Sequence, residues 1–245
     1  MLVPKNDSYF IMKNLRNLLV LIGIVLMASN LFVIFEFGLK ESRWLRILGT
    51  AILFLIFLKG AKKEEIFLIT GFSLLLISDF LLIKYEIPWV KKLTFTLVIF
   101  AYLSLIIHIR PYVRNLEANI GQKILFIGIL AINVVMLYVL IDMVGYKWDD
   151  SWHTYLFYLY GMTMIVMVVL GFSYSNRYSD KSSFYFLLAV LGFVISDISG
   201  FMAYYLNVDQ FYFPDRIFYI IGLLCLVKFS RMDKNRDMLQ SYGYL

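Results

Sequence analysis

Charge and cysteine are what this sequence has least of. Only 16% of its 245 residues are charged, whereas 61% are hydrophobic. Its mean hydropathy is +0.78. A soluble domain carries more charge and fewer apolar residues. The single cysteine, Cys225, excludes a disulfide framework within one chain and a cysteine-based metal site. Familiar chemical signatures are absent as well. There is no Walker loop, dinucleotide fingerprint, His-Glu-x-x-His or Gly-x-Ser-x-Gly string. Nor is there an arginine-rich voltage-sensor helix or a potassium-filter string. The apolar–polar alternation of barrel strands is missing. The first apolar block has the length of a full span and no small-x-small cleavage pattern, so no cleavable signal peptide is expected.

What is present is a series of long apolar blocks separated by short charged breaks. They lie at about 18–37, 44–58, 66–83, 93–109, 124–144, 155–174, 184–206 and 216–229. This pattern predicts an all-α, polytopic transmembrane helical bundle of about eight spans. No polar segment is long enough to fold alone, so residues 1–245 are expected to form a single integral membrane domain. The net charge of +6 does not point to nucleic acid, because the basic residues sit in short loops beside apolar blocks and read as topology signals. With eight spans, the side holding both termini carries 15 Lys and Arg and the other side carries 8. The positive-inside rule then places both termini in the cytoplasm. A multi-pass protein of a bacterial inner membrane is the expected setting, with the bilayer itself as a partner. The second span is short, and Arg43 is expected to snorkel to the interface at its end.

Two spans carry an acid near mid-membrane. The stretch 188–205 reads LAVLGFVISDISGFMAYY and holds Asp197; the stretch 66–83 reads IFLITGFSLLLISDFLLI and holds Asp79. A carboxylate in hydrocarbon costs about 2.5–3.5 kcal/mol on insertion scales, so each acid is a functional-site hypothesis. Both follow the string Ile-Ser-Asp, which puts Ser78 and Ser196 beside them. At 1.5 Å per residue each acid lies about 20 Å from the inner boundary, so the two share one depth. Matching strings at matching depth fit an ancient duplication of four spans and a chance tripeptide about equally well. On its helix Asp197 shares a face with Gly200 and Tyr204. The neighbours of Asp79 on its own face are Leu75, Leu76 and Ile83, so its partners must come from other helices.

Other polar residues read more plainly. His108 ends the fourth span, about 15 Å from the level of the acids, which disfavours an Asp/Asp/His metal site. His153 reads as an exposed loop histidine. Asn133 reads as an interhelical hydrogen bonder, and Asp142, Asp149 and Asp150 as solvated residues.

The chain resembles the YhhN-like family, the integral membrane lysoplasmalogenases. The resemblance covers nearly the whole chain. Its best marker is the run Leu191-Gly-Phe-Val-Ile-Ser-Asp-Ile-Ser-Gly-Phe-Met-Ala203. Ser78-Asp79 matches an earlier Ser-Asp, and Ser104-Leu-Ile-Ile-His108 matches an apolar stretch ending in His. Tyr160-Gly-Met-Thr-Met-Ile-Val-Met167 is similar to a Tyr- and Met-rich sixth span. Tyr112 comes one position late, and Gly222-Leu223 stands where the family often has Ala-Gln after a tyrosine, here Tyr219. The resemblance implies a hydrolase that cleaves the vinyl ether bond of a lysoplasmalogen-type lysophospholipid. The products are a fatty aldehyde and a glycerophospho head group, and neither cofactor nor metal is needed. Asp79 and Asp197 are then the expected acid–base pair, with Ser78, Ser196, Tyr204 and His108 as candidate auxiliary or substrate-binding residues. Two other readings stay open: a proton-coupled carrier, and a non-catalytic sensor or scaffold of the same fold. No mid-span proline or glycine pair breaks a helix as many carrier sites require.

Overall fold

The computed structural model describes residues 5–61, 65–113, 120–144 and 151–241. The Asn133 side chain, Asp149 and Asp150 lie outside the described residues. Eight α-helices account for nearly all of what is described: α1 Lys5–Phe37, α2 Leu39–Leu58, α3 Ile66–Leu81, α4 Pro88–Val113, α5 Ile120–Val144, α6 Ser151–Tyr178, α7 Lys181–Tyr205 and α8 Tyr212–Ser241. By length and composition, five segments among the described residues can cross a membrane: Asn17–Phe37, Ile66–Lys84, Pro88–Val113, Ser151–Tyr178 and Lys181–Tyr205. The protein is therefore a polytopic helical membrane bundle. Helices α2 and α8 carry charge inside their apolar runs: α2 opens with Lys40, Glu41, Arg43 and Arg46, and α8 with Asp215 and Arg216.

Six helices close a ring. Helix α2 packs on α3, α3 on α4, α4 on α6, α6 on α7, α7 on α8, and α8 returns to α2; α1 leans on α2 and α8 from outside, and α5 on α6. The tightest seam is between α7 and α8. A Cβ on Gly192 would lie 2.9 Å from the Gly222 backbone, so the two glycines let the backbones touch. Without a hydrophobic force between helices in lipid, such small-residue contacts do much of the packing. Gly38, at φ 92°, makes the sharp break between α1 and α2 that an L-residue resists. Asp180 caps α7 by accepting from the Ser183 N–H at 2.7 Å.

The apolar core runs down the middle of the ring through Phe57, Phe72, Leu105, Tyr174, Phe193 and Phe229. Outward faces are rich in Leu, Ile, Val and Phe, as lipid contact requires. Two expectations are corrected here. Arg43 does not snorkel outward: it is buried and turns into the ring. His153 is no exposed loop residue: it is buried in the first turns of α6, its ring edge-on to Phe95 at 5.6 Å.

Candidate active site

All six ring helices contribute side chains to a cavity of about 140 Å³ at one end of the bundle. This is the end where α3 and α7 finish and where α2, α4 and α8 begin. Its polar lining includes Arg43, Arg46, Ser196, Asp197, Asp215 and Arg216. A second, apolar cavity of about 90 Å³ lies between α5, α6 and α7, lined by residues such as Leu137, Gly161, Met164, Val168 and Val194. Asp197 and Tyr160 belong to both. They form the partition between a polar chamber and an apolar slot.

Asp79 sits behind the polar chamber and is only 1% exposed. Its Oδ1 accepts from Arg46 Nε at 2.7 Å. Its Oδ2 accepts from Thr50 Oγ1 at 2.6 Å and from the Tyr219 hydroxyl at 2.8 Å. Arg46 and Thr50 are four residues apart, so one face of α2 supplies both donors. The guanidinium of Arg46 also lies over the Tyr219 ring, 3.7 Å from its centroid. Its Nη1 donates to Asp215 Oδ1 and Oδ2 at 3.2 and 3.3 Å. Asp215 in turn accepts from Ser196 Oγ at 2.6 Å and from Arg216 Nη1 at 2.6 Å. Arg216 Nε donates to Ser42 Oγ at 3.0 Å. Two arginines and two carboxylates thus interlock, each bound by further hydrogen bonds, which is the condition for tolerating buried charge.

Asp197 is held differently. The Tyr102 hydroxyl of α4 donates to its Oδ2. Tyr160 of α6 faces the same carboxyl and stacks on Tyr102, with ring centroids 6.1 Å apart. Asp197 is half-buried and opens onto both cavities. Its hydrogen-bond partners among the described residues are phenols.

The other expected residues divide. Ser78, Ser196 and Tyr204 line the polar chamber. Ser78 Oγ is turned back to the Leu75 carbonyl at 2.7 Å, and Ser196 serves Asp215. Gly200 lies beside Asp215: a Cβ there would come within 3.6–3.8 Å of its carboxyl group. Asp197, Gly200 and Tyr204 share the chamber as the helical spacing requires. His108 is not brought to the site. It lies about 9 Å further along α4 than Tyr102, with its ring against Phe229 and Tyr112 at 5.9 and 6.2 Å. Asp79 and Asp197 do not face each other across the chamber, because Asp79 does not line it.

At the mouth, outside the spanning segments, Tyr85 packs edge-on to Tyr204 at 5.0 Å. Burial first, then the Tyr205 hydroxyl 3.5 Å away, pushes the Tyr85 phenol well above its ordinary range. Burial likewise pushes Tyr212 up to about 12. Beside them Arg43 Nη1 pairs with Glu86 Oε1 at 2.7 Å. Partial burial would raise the Glu86 carboxyl, but its own backbone N–H, Arg43 and Lys40 together hold it below its ordinary range.

Arg46, Asp215, Tyr102 and Arg43 are site residues that reading the sequence overlooked. The available signal was an arginine, Arg46, inside an apolar run, set three residues after another.

The family model described as the YhhN family matches residues 41–228. That range takes in every side chain of the interlocked network and the partition. No curated protein and no solved structure matches the chain.

Proposed function

The chain belongs to the YhhN family, and on that premise we propose that it hydrolyses the vinyl ether bond of a lysoplasmalogen-type lysophospholipid within the membrane. The observation that carries this reading is the partition. An amphiphile with its head in the polar chamber and its chain in the apolar slot passes Asp197 and Tyr160 at the junction. In a lysoplasmalogen the junction of head and chain is the vinyl ether. The slot lies between α5 and its neighbours, at the edge of the ring, so the tail enters sideways from the bilayer. The bundle is read as eight spans in a single domain, with both termini in the cytoplasm and the chamber toward the outer side.

The chemistry needs one proton donor and one water. Protonated Asp197 gives its proton to the double-bond carbon farther from the ether oxygen, and the adjacent carbon becomes an oxocarbenium centre. The Asp197 carboxylate now stands beside that cation and stabilises it. Water adds to the cationic carbon and returns a proton to Asp197. The resulting hemiacetal breaks its bond to the glycerol oxygen, giving a fatty aldehyde and the free hydroxyl of the head group. Tyr102 and Tyr160 orient the carboxyl throughout. Asp79 serves the same site from behind, by holding Arg46 and Tyr219 in place. The test is aldehyde release from a 1-alkenyl lysophospholipid by the purified protein in lipid nanodiscs. Release by wild type and its loss in Asp197→Asn is the expected result. Absence of release by wild type would sink the reading, and proton-coupled solute flux in proteoliposomes would favour a carrier instead.

A further inference from the structure

The polar chamber contains three guanidinium groups that are not equally matched. Arg46 and Arg216 are tied by fixed bonds to Asp79 and Asp215; both carboxylates and Arg216 are buried, and Arg46 is nearly so. These two arginines and two carboxylates balance. Arg43 is different. Its side chain is 7% exposed and lines the chamber, but its ion-pair partner among the described residues is Glu86, whose side chain is 57% exposed. Glu86 is no part of the chamber's lining. It belongs to the short link between the 3-10 turn Leu82–Lys84 and α4. A buried cation thus borrows its counter-charge from a mostly solvated residue at the mouth. The carboxylate side of this pair keeps most of its contact with water, so exchanging it for another anion costs little further desolvation.

We propose that Arg43 binds the phosphodiester of a lysophospholipid head group, and that Glu86 is the displaceable carboxylate that holds the place until the lipid arrives. A guanidinium fork matches two oxygens of a phosphate as it matches a carboxylate, so the exchange swaps one anion for another and buries no unpaired charge. Arg216 and Tyr212, both in the chamber wall, flank the same mouth. Arg43 and Asp197 line the same chamber. A head group anchored at Arg43 therefore holds the lipid with its ether end in the chamber that Asp197 faces. The inference rests on the lipid reading above for its ligand, and it adds the requirement for a phosphate.

The test is a binding measurement with lipids that cannot be cleaved, so it does not depend on hydrolysis. The full-length protein in nanodiscs is titrated with 1-O-hexadecyl lysophosphatidylcholine, with 1-O-hexadecylglycerol, which lacks the phosphate, and with inorganic phosphate. Wild type is expected to bind the phospholipid at least ~10-fold more tightly than the alkylglycerol, the effect of a hydrogen bond to a charged group. Arg43→Gln is expected to bind the two lipids alike. Glu86→Gln, at an exposed position, is expected to bind the phospholipid several-fold more tightly, with the alkylglycerol unchanged. A preference that survives Arg43→Gln overturns the proposal, as does Glu86→Gln with wild-type affinity for both lipids. Inorganic phosphate binding as tightly as the phospholipid overturns the lipid source. If the preference is found but no aldehyde is ever released from alkenyl lipid, the phosphate site stands and the hydrolase reading falls.

Discussion

Helices α3 and α7 carry the same tripeptide, Ile77-Ser78-Asp79 and Ile195-Ser196-Asp197, and the two aspartates meet opposite surroundings. Around Asp79, α2 and α8 bring a guanidinium, a threonine hydroxyl and a phenol, and the carboxyl is sealed from the chamber. Around Asp197, α4 and α6 bring phenols, and the carboxyl opens on two cavities. The serines diverge as well: Ser78 is spent on its own helix, while Ser196 reaches across to Asp215. An acid locked to an arginine is well placed to fix structure. An acid held by phenol donors, at the border of a polar and an apolar space, is the one within reach of a bound lipid. On the proposed reading, chemistry belongs to Asp197 and architecture to Asp79.

The sharpest way to break this comparison is to neutralise each acid in turn. Asp197→Asn is expected to lower aldehyde release by about 10²–10⁴-fold, the range for loss of a general acid, with a melting temperature near that of wild type. Asp79→Asn strands Arg46 beside Asp215 and is expected to cost about 3–5 kcal/mol of stability, the cost of breaking a buried pair. Thermal denaturation in nanodiscs reads both, and equal loss of stability in the two variants would erase the distinction. A double variant, Asp79→Asn with Arg46→Gln, should recover part of that loss, because no charge is then left unpaired.

Smaller changes sharpen the picture. Tyr102→Phe removes the hydroxyl that donates to Asp197 and is expected to reduce kcat about tenfold, an effect of the size of a hydrogen bond to a charged group. The same change should leave KM for the lipid nearly unaltered. Val168→Phe narrows the apolar slot and is expected to raise KM for long-chain substrates while sparing short ones, which a chain-length series tests. The smallest effect on stability belongs to the mouth. Glu86→Gln removes a mostly solvated partner from the buried Arg43 and should cost about 1–2 kcal/mol, less than the loss at Asp79. The sign of its pH dependence follows from the lowered carboxyl. The pair's contribution is present above the carboxyl's unfolded value and is lost as pH falls through the folded one. Melting curves of wild type should therefore converge with those of Glu86→Gln in acid.

Much of the fold was legible in order along the chain. Each apolar block became a helix, and in α2, α6 and α8 the helix runs beyond the apolar block. Within one helix the site was partly legible too: three- and four-residue spacing put Gly200 and Tyr204 on the face of Asp197, and both line the chamber. Partners from other helices were not legible. Arg43 read as a snorkelling charge, because an arginine near the end of an apolar run ordinarily reaches for water, and Arg46 drew no reading of its own. Asp215 fell just outside the last apolar block and Arg216 at its first position, and nothing local shows that the start of α8 is folded inward. His153 read as a loop residue for the same reason.

By itself the sequence determined that the chain is a helical membrane protein, that two apolar blocks each carry an aspartate in the same Ile-Ser-Asp string, and that the chain resembles one family. These follow from composition and from periodicity along single helices, which local backbone geometry enforces. Only the tertiary structure decided which aspartate is sealed and which faces the cavities. That choice depends on how each helix is rotated against its neighbours. The rotation is set by packing over the whole ring, including the close approach of Gly192 to Gly222, and no stretch of sequence encodes it alone.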